Sequence, residues 1–178
     1  MISKTVFEEA KNKAIDYFIK TNIVLTNEEK AKIEVADFGL DDLWNTGLEI
    51  LTYVNTDRVC AKELVLLPNQ TCPEHRHPTI GDYPGKEETF RCRFGTVYLY
   101  VDGPTTVQRA VEPPEGEYSV FHEIVLTKGQ QYTLSPNTKH WFKAGPEGAV
   151  ISEFSTASYD ECDIFTDSRI KRLTEVER

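Results

Sequence analysis

EHRHPTIGDYPGKEETFRCRFG, residues 74–95, carries the reading of the whole chain. It opens on His75-Arg76-His77, runs through ten residues rich in Pro and Gly, and reaches Glu88 at the head of an alternating apolar and polar run. Residues i and i+2 of an extended chain point to the same side, so His75 and His77 present two imidazoles to one point. Glu88 adds a carboxylate oxygen if its strand lies beside the first. Farther on, His140 follows the Pro136-Asn137 turn and enters another β-run, where it offers a third imidazole. Three neutral nitrogens and one hard oxygen suit Mn, Fe, Co, Ni or Zn and leave positions for water or substrate. A set without thiolate argues against a closed structural zinc site. Cys72, three residues before His75, has a zinc-like spacing, but no second Cys pair accompanies it.

Outward from this stretch the sequence reads as short strands. They are expected over 48–54, 60–67, 88–94, 96–101, 118–126, 131–134, 139–144 and 149–154, with Gly, Pro and Asn turns between them. That spacing points to an all-β sandwich or barrel. Residues 104–116, with Pro104, Pro113, Pro114 and Gly116, read as a surface loop. The first third reads as partly helical. Ser3 can cap a helix in which Phe7, Ala10, Ala14, Tyr17 and Phe18 recur at helical spacing. Thr26 and Glu29 form a capping-box signature for a second helix over 27–32. The expected plan is one structural domain: a helical extension over 1–46 packed on a β-barrel over 47–157, and an acidic tail over 158–178 that wraps the surface.

A chain of 178 residues is one ordinary domain and buries roughly 70% of its unfolded surface, so it needs no disulfides. The four cysteines, Cys60, Cys72, Cys92 and Cys162, form no C-x-x-C pair and fit reduced thiols in a cytoplasm. Residues 1–13 lack an apolar segment, so no signal peptide is expected, and no stretch approaches the ~20 apolar residues of a membrane span. A net charge of -9 argues against nucleic acid, whose phosphates reward a basic face.

The motifs also resemble a known superfamily. Cupins carry Gly, His-x-His, a variable gap, Glu, six residues and Gly; here His75, His77, Glu88 and Gly95 match, with the six-residue gap kept. Their second motif runs from Gly to His with a Pro midway, and Gly129, Pro136 and His140 reproduce its span. The leading Gly of the first motif and the second Gly of the second are missing. The resemblance implies a mainly β fold, a single cupin (a double-stranded β-helix or jelly-roll barrel) with short N-terminal helices. Within the superfamily, residues 72–77, 85–103, 136–148 and 163–170 look like the short, single-cupin D-lyxose isomerases, with similarity from about Leu25 to the end. That family implies aldose–ketose isomerisation between D-lyxose and D-xylulose, with D-mannose and D-fructose as a second pair. It also implies one divalent metal per chain, manganese first, held by His75, His77, Glu88 and His140, and a homodimer acting on a small free sugar.

Glu153 is the candidate base, because an acid among the apolar residues of Val150-Ile151-Ser152-Glu153-Phe154 is costly unless it is exposed or has a task. Lys86, just before Glu88, is the candidate partner that donates to the sugar oxygen at C1 or C2. The plain alternatives are a solvent-facing strand glutamate and a solvated loop lysine. Alternation puts Glu88, Phe90, Cys92 and Phe94 on one face and Thr89, Arg91 and Arg93 on the other; His140 and Phe142 share a face, with Trp141 opposite. Phe90 and Phe142 are therefore expected to line the substrate pocket. Asp163 is expected at the substrate, and with Arg169 either closes the pocket or holds the dimer. His122 reads as a packed or exposed strand histidine, or as a substrate contact. Competing functions are a cupin sugar-phosphate isomerase, an Fe(II) cupin dioxygenase and a non-enzymatic sugar-binding cupin.

Overall fold

A computed structural model describes residues 1–177. Two helices, α1 (Lys4–Lys20) and α2 (Asn27–Lys32), precede nine strands. These are β1 (Glu34–Ala36), β2 (Leu48–Asn55), β3 (Cys60–Leu66), β4 (Thr71–Arg76), β5 (Glu88–Val101), β6 (His122–Thr127), β7 (Gln131–Leu134), β8 (His140–Ser155) and β9 (Ile164–Phe165). One path of the sheet runs β1-β2-β3-β8-β4-β9, while β5 pairs with β6, β7 and β8. Every strand pair is antiparallel.

The long strands β5 and β8 close the barrel by belonging to both of its halves. The first part of β8 pairs with β4 and the last part with β3, while β5 follows β8 from Glu88↔Ser155 to Val101↔His140. The sequence suggested two strands in each place; the structure has one bent strand in each. The bend lies where Gly95 and Gly148 meet. Gly95 has φ 71° and Gly148 φ 74°, and a Cβ on Gly95 would fall 2.0 Å from the Gly148 carbonyl oxygen. Only glycine fits so close a left-handed crossing. The register also slips between Cys92 and Phe94. This bulge puts Cys92 in the barrel core but turns Phe94 outward against Tyr17 of α1, which corrects its expected inward face.

Two other boundaries differ for identifiable reasons. Residues 118–121 are not strand, because the buried Glu74 carboxylate takes the backbone N–H groups of Ser119 and Val120, at 2.7 and 2.9 Å. A ladder would need those donors. β4 contains Pro73 and slips register between Cys72 and His75, as a strand residue without an N–H requires. The ends of the chain join the sheet as well: β1 pairs with β2, β9 pairs with β4, and Ile2 bridges Val176.

Both helices have the caps the sequence offers. The Ser3 hydroxyl accepts from Val6 N–H, and Thr26 and Glu29 form a complete capping box. α1 buries Ala14 and Phe18 against Leu51, Val65 and Val150 on the outside of the sheet. No helix among the described residues is long and apolar enough to cross a membrane.

A buried carboxyl sits beneath this layer. Gln70 donates to the Leu43 carbonyl at 2.8 Å and to Glu49 at 3.3 Å, and the other Glu49 oxygen has no partner. Burial, only partly offset by Gln70, pushes Glu49 up to about 8 from 4.5. The unfolded chain ionises this group first. The resulting penalty to folding is absent below about pH 4, grows through the unfolded value and levels off above pH 8, at roughly 5 kcal/mol. Glu49→Gln should therefore raise Tm at pH 8 and leave it unchanged at pH 4. Equal melting temperatures at both pH values would show that Glu49 carries no such penalty.

Candidate functional site

Four elements converge inside the barrel. His75 near the end of β4 and His140 at the start of β8 are register partners, and their rings lie 4.3 Å apart. His77 follows β4, with its ring 4.9 Å from that of His75. Glu88 opens β5 and reaches across: its Oε1 is 3.1 Å from His77 Nε2 and 3.2 Å from His140 Nε2. The three histidines each offer a ring nitrogen within 4.8 Å of the others. All four residues are buried.

Each ring is oriented from behind. His75 Nδ1 donates to the Pro73 carbonyl at 2.8 Å, His140 Nδ1 to the Thr138 carbonyl at 3.0 Å, and His77 Nδ1 to Asp163 at 2.5 Å. In the neutral form of each ring, with Nδ1 carrying the proton, the lone pair falls on Nε2. His140 Nε2 is buried without a hydrogen-bond partner, although Glu88 Oε1 lies 3.2 Å away, because its proton is on Nδ1. Burial pulls His75 well below its ordinary value and His140 to about 4, so both stay neutral. For His77, burial and Lys86 pull downward, but Glu88 and Asp163 outweigh them and hold it up to about 9, so its Nε2 carries a proton toward Glu88 that a bound cation would displace. Burial alone would raise Glu88; Lys86 and His77 reverse this and hold it well below the carboxylate range. Three aligned nitrogens, one of them orphaned in the interior, and an ionised carboxylate fit a divalent cation of the Mn-to-Zn series.

Beside this cluster lies a charged network. Lys86 Nζ is 2.9 Å from Glu88 Oε2, 3.0 Å from Glu153 Oε1 and 3.8 Å from Asp160 Oδ1. Lys62 Nζ is 2.6 Å from Asp160 Oδ2. Burial opposes the charge on Lys86, yet Glu153, Glu88 and Asp160 carry it well above its ordinary value. The cavity lined by these groups leaves about 40 Å³ for water-sized molecules. Phe90 and Phe142 line it, together with Phe38, Leu64 and Phe165. Asp163 lines it too, with its carboxylate engaged on His77. In a second group of donors, His77, Asp160 and Asp163, Asp160 is paired with Lys62 and Lys86, and Asp163 with His77.

The cavity therefore has an acid–base pair at one wall, nitrogen and oxygen donors at another, and an apolar remainder. No family model matches the sequence. Curated relatives do. The chain is 60% identical over 180 residues to the D-lyxose/D-mannose isomerase of Thermosediminibacter oceani, covering 99% of each. It is 59% identical to the D-lyxose ketol-isomerase of Thermofilum sp., again covering 99% of each, and 57% identical to that of Cohnella laeviribosi, covering 97% of each. The chain belongs to the D-lyxose ketol-isomerase family. Family membership makes it a sugar aldose–ketose isomerase, an intramolecular oxidoreductase. The isomerase also shares its fold with solved L-ribose isomerases. That of Acinetobacter sp. DL28 superposes with TM-score 0.78 at 14% identity, and that of Cellulomonas parahominis with 0.77 at 18%; each comparison covers 99% of this chain and 98% of the other.

The remaining sequence candidates in the isomerase lie elsewhere. Arg91 binds Gln131 and Arg93 binds Ser152 on the outer face of the sheet. His122 accompanies the Pro104 carbonyl, Arg169 pairs with Asp167 in the tail, and Trp141 stacks on Tyr100 in a separate cluster. Cys72 lines the cavity but does not join the clustered donors. Sequence reasoning missed Lys62, Asp160 and Arg172, which also line the cavity. Lys62 had a signal: it shares the strand face of Leu64 and Leu66, the same anomaly that singled out Glu153.

Proposed function

We propose that the isomerase interconverts D-lyxose and D-xylulose, and D-mannose and D-fructose, by proton transfer through a cis-enediol. Glu153 would act as the base. The observation that carries this reading is the buried contact between Glu153 Oε1 and Lys86, beside the histidine cluster. With Oε1 so engaged, Oε2 is the oxygen left to take the C2 proton and return it to C1. Lys86, held as an ammonium, gives a proton to O1 as the enediol forms and takes one back from the O2 hydroxyl as the ketone forms, and positioned proton transfer of this kind contributes roughly 10²–10⁴-fold. His75, His77, Glu88 and His140 would hold one divalent ion, manganese first, and a bound ion supplies Lewis-acid polarisation of the sugar oxygens. Phe90 and Phe142 exclude water from the reacting carbons. In this reading Asp163 acts through His77 and does not touch the sugar.

The charges in the cavity favour a neutral sugar. Lys62 and Lys86 pair with Asp160, Glu153 and Glu88, and Arg172 pairs with Glu34, so among the described residues that line the cavity no cation is left over for a phosphate. Assays of Mn²⁺-loaded protein on D-lyxose and on fructose 6-phosphate test this. Turnover of the free sugar alone is expected; preference for the phosphate would overturn the reading. The proposal includes a cytoplasmic homodimer, and a monomeric mass by light scattering would remove the dimer from it.

Asp163→Ala should weaken Mn²⁺ binding about 10–100-fold, as loss of a group behind a metal-bound histidine does. Calorimetric titration of the folded variant reads this directly. Unchanged affinity would mean that His77 does not need Asp163 to present Nε2.

A further inference from the structure

We propose that Lys62, held by Asp160, is a positioning residue for the base: it fixes Glu153 Oε1 so that Oε2 faces the sugar. The inference rests on the reading of Glu153 as the base.

Lys62 lies on β3 directly opposite Glu153 on β8, on the inward face. Its side chain is 4% exposed, so its charge must be met inside the protein. An ammonium has three donors. One goes to Asp160 Oδ2 at 2.6 Å and one to Ser158 Oγ at 3.1 Å. The ammonium then lies 3.9 Å from Glu153 Oε1, too long for a hydrogen bond but within ion-pair reach. Lys86 approaches the same oxygen at 3.0 Å. Glu153 Oε1 is thus set between two ammoniums. Asp160 keeps the two cations together, with Oδ2 on Lys62 and Oδ1 3.8 Å from Lys86. Burial pulls Lys62 down, but Glu153 and Asp160 outweigh it and the net direction is upward, so Lys62 remains charged. Lys62 forms no hydrogen bond or ion pair with the histidines or Glu88 among the described residues. Its effect on the reaction therefore passes through Glu153, and Asp160 extends that dependence to the segment after β8.

The test uses full-length, Mn²⁺-loaded Lys62→Met, Lys62→Arg and Glu153→Gln, with rates expressed per bound metal. Lys62→Met should lose about 10²-fold in kcat, the scale of a base misplaced by about 1 Å, with KM within about threefold of wild type. Lys62→Arg should recover at least tenfold of that loss. Adding Lys62→Met to Glu153→Gln should cost nothing further, because the two act as one unit. Wild-type kcat in Lys62→Met, with Glu153→Gln inactive, overturns the inference and leaves the base in place. A rise in KM with kcat intact also overturns it, by making Lys62 a sugar contact. Normal turnover by Glu153→Gln removes the base itself. If Lys62→Met does not fold, Asp160→Asn should show the same loss of kcat at constant KM, and wild-type kcat there is equally decisive against the proposal.

Discussion

Glu153→Gln should lower kcat for D-lyxose by about 10²–10⁴-fold while binding one divalent ion as tightly as wild type. Gln has almost the same shape and keeps an oxygen to accept from Lys86, whose ammonium lies 3.0 Å from Oε1. What it loses is the ability to take a proton. The donor cluster is not disturbed, because Glu153 touches it only through Lys86. Loss of turnover without loss of metal is therefore the signature of a base, and parallel loss of both would indicate a structural role. The wild-type enzyme should also release C2 deuterium from labelled substrate into water. Complete retention of the label would replace the enediol with a hydride shift.

His77→Ala should abolish metal retention and activity together. Of the three imidazoles, His77 is the one tied on both nitrogens, to Asp163 at 2.5 Å and to Glu88 Oε1 at 3.1 Å. Removing it deletes a donor and also frees Glu88 and Asp163, two buried carboxylates 1% and 5% exposed. Glu88 then keeps Lys86, 2.9 Å away, as its ion-pair partner. Metal analysis of the purified variant after dialysis, with circular dichroism to confirm the fold, measures the effect. A variant that kept one equivalent of metal would show that the ion is held elsewhere.

Sequence pattern made parts of this site legible because they are local. His75 and His77 follow from the period of an extended chain, and Glu88, Phe90, His140 and Phe142 from alternation along single strands. The strand list was also largely readable, since turns announce themselves through Gly, Pro and Asn. Continuity was not. Gly95 and Gly148 look like ends, yet they are the bend that lets β5 and β8 pass through both halves of the barrel. The Phe94 inversion arises from a bulge that depends on which residue lies opposite. Partners distant in sequence were hardest to see. Asp163 reaches His77 across 86 positions and Asp160 reaches Lys62 across 98, and nothing in the tail composition distinguishes these acids from Glu161. Lys62 could have been found by applying to β3 the burial argument used for Glu153.

Isomerisation of D-lyxose by metal-stripped protein, followed as Mn²⁺ is added back, bears most directly on three imidazoles and a carboxylate serving one ion. Negligible turnover without metal is expected, rising linearly and reaching its plateau at one equivalent per chain. Full activity in protein shown by elemental analysis to hold no metal would contradict the account.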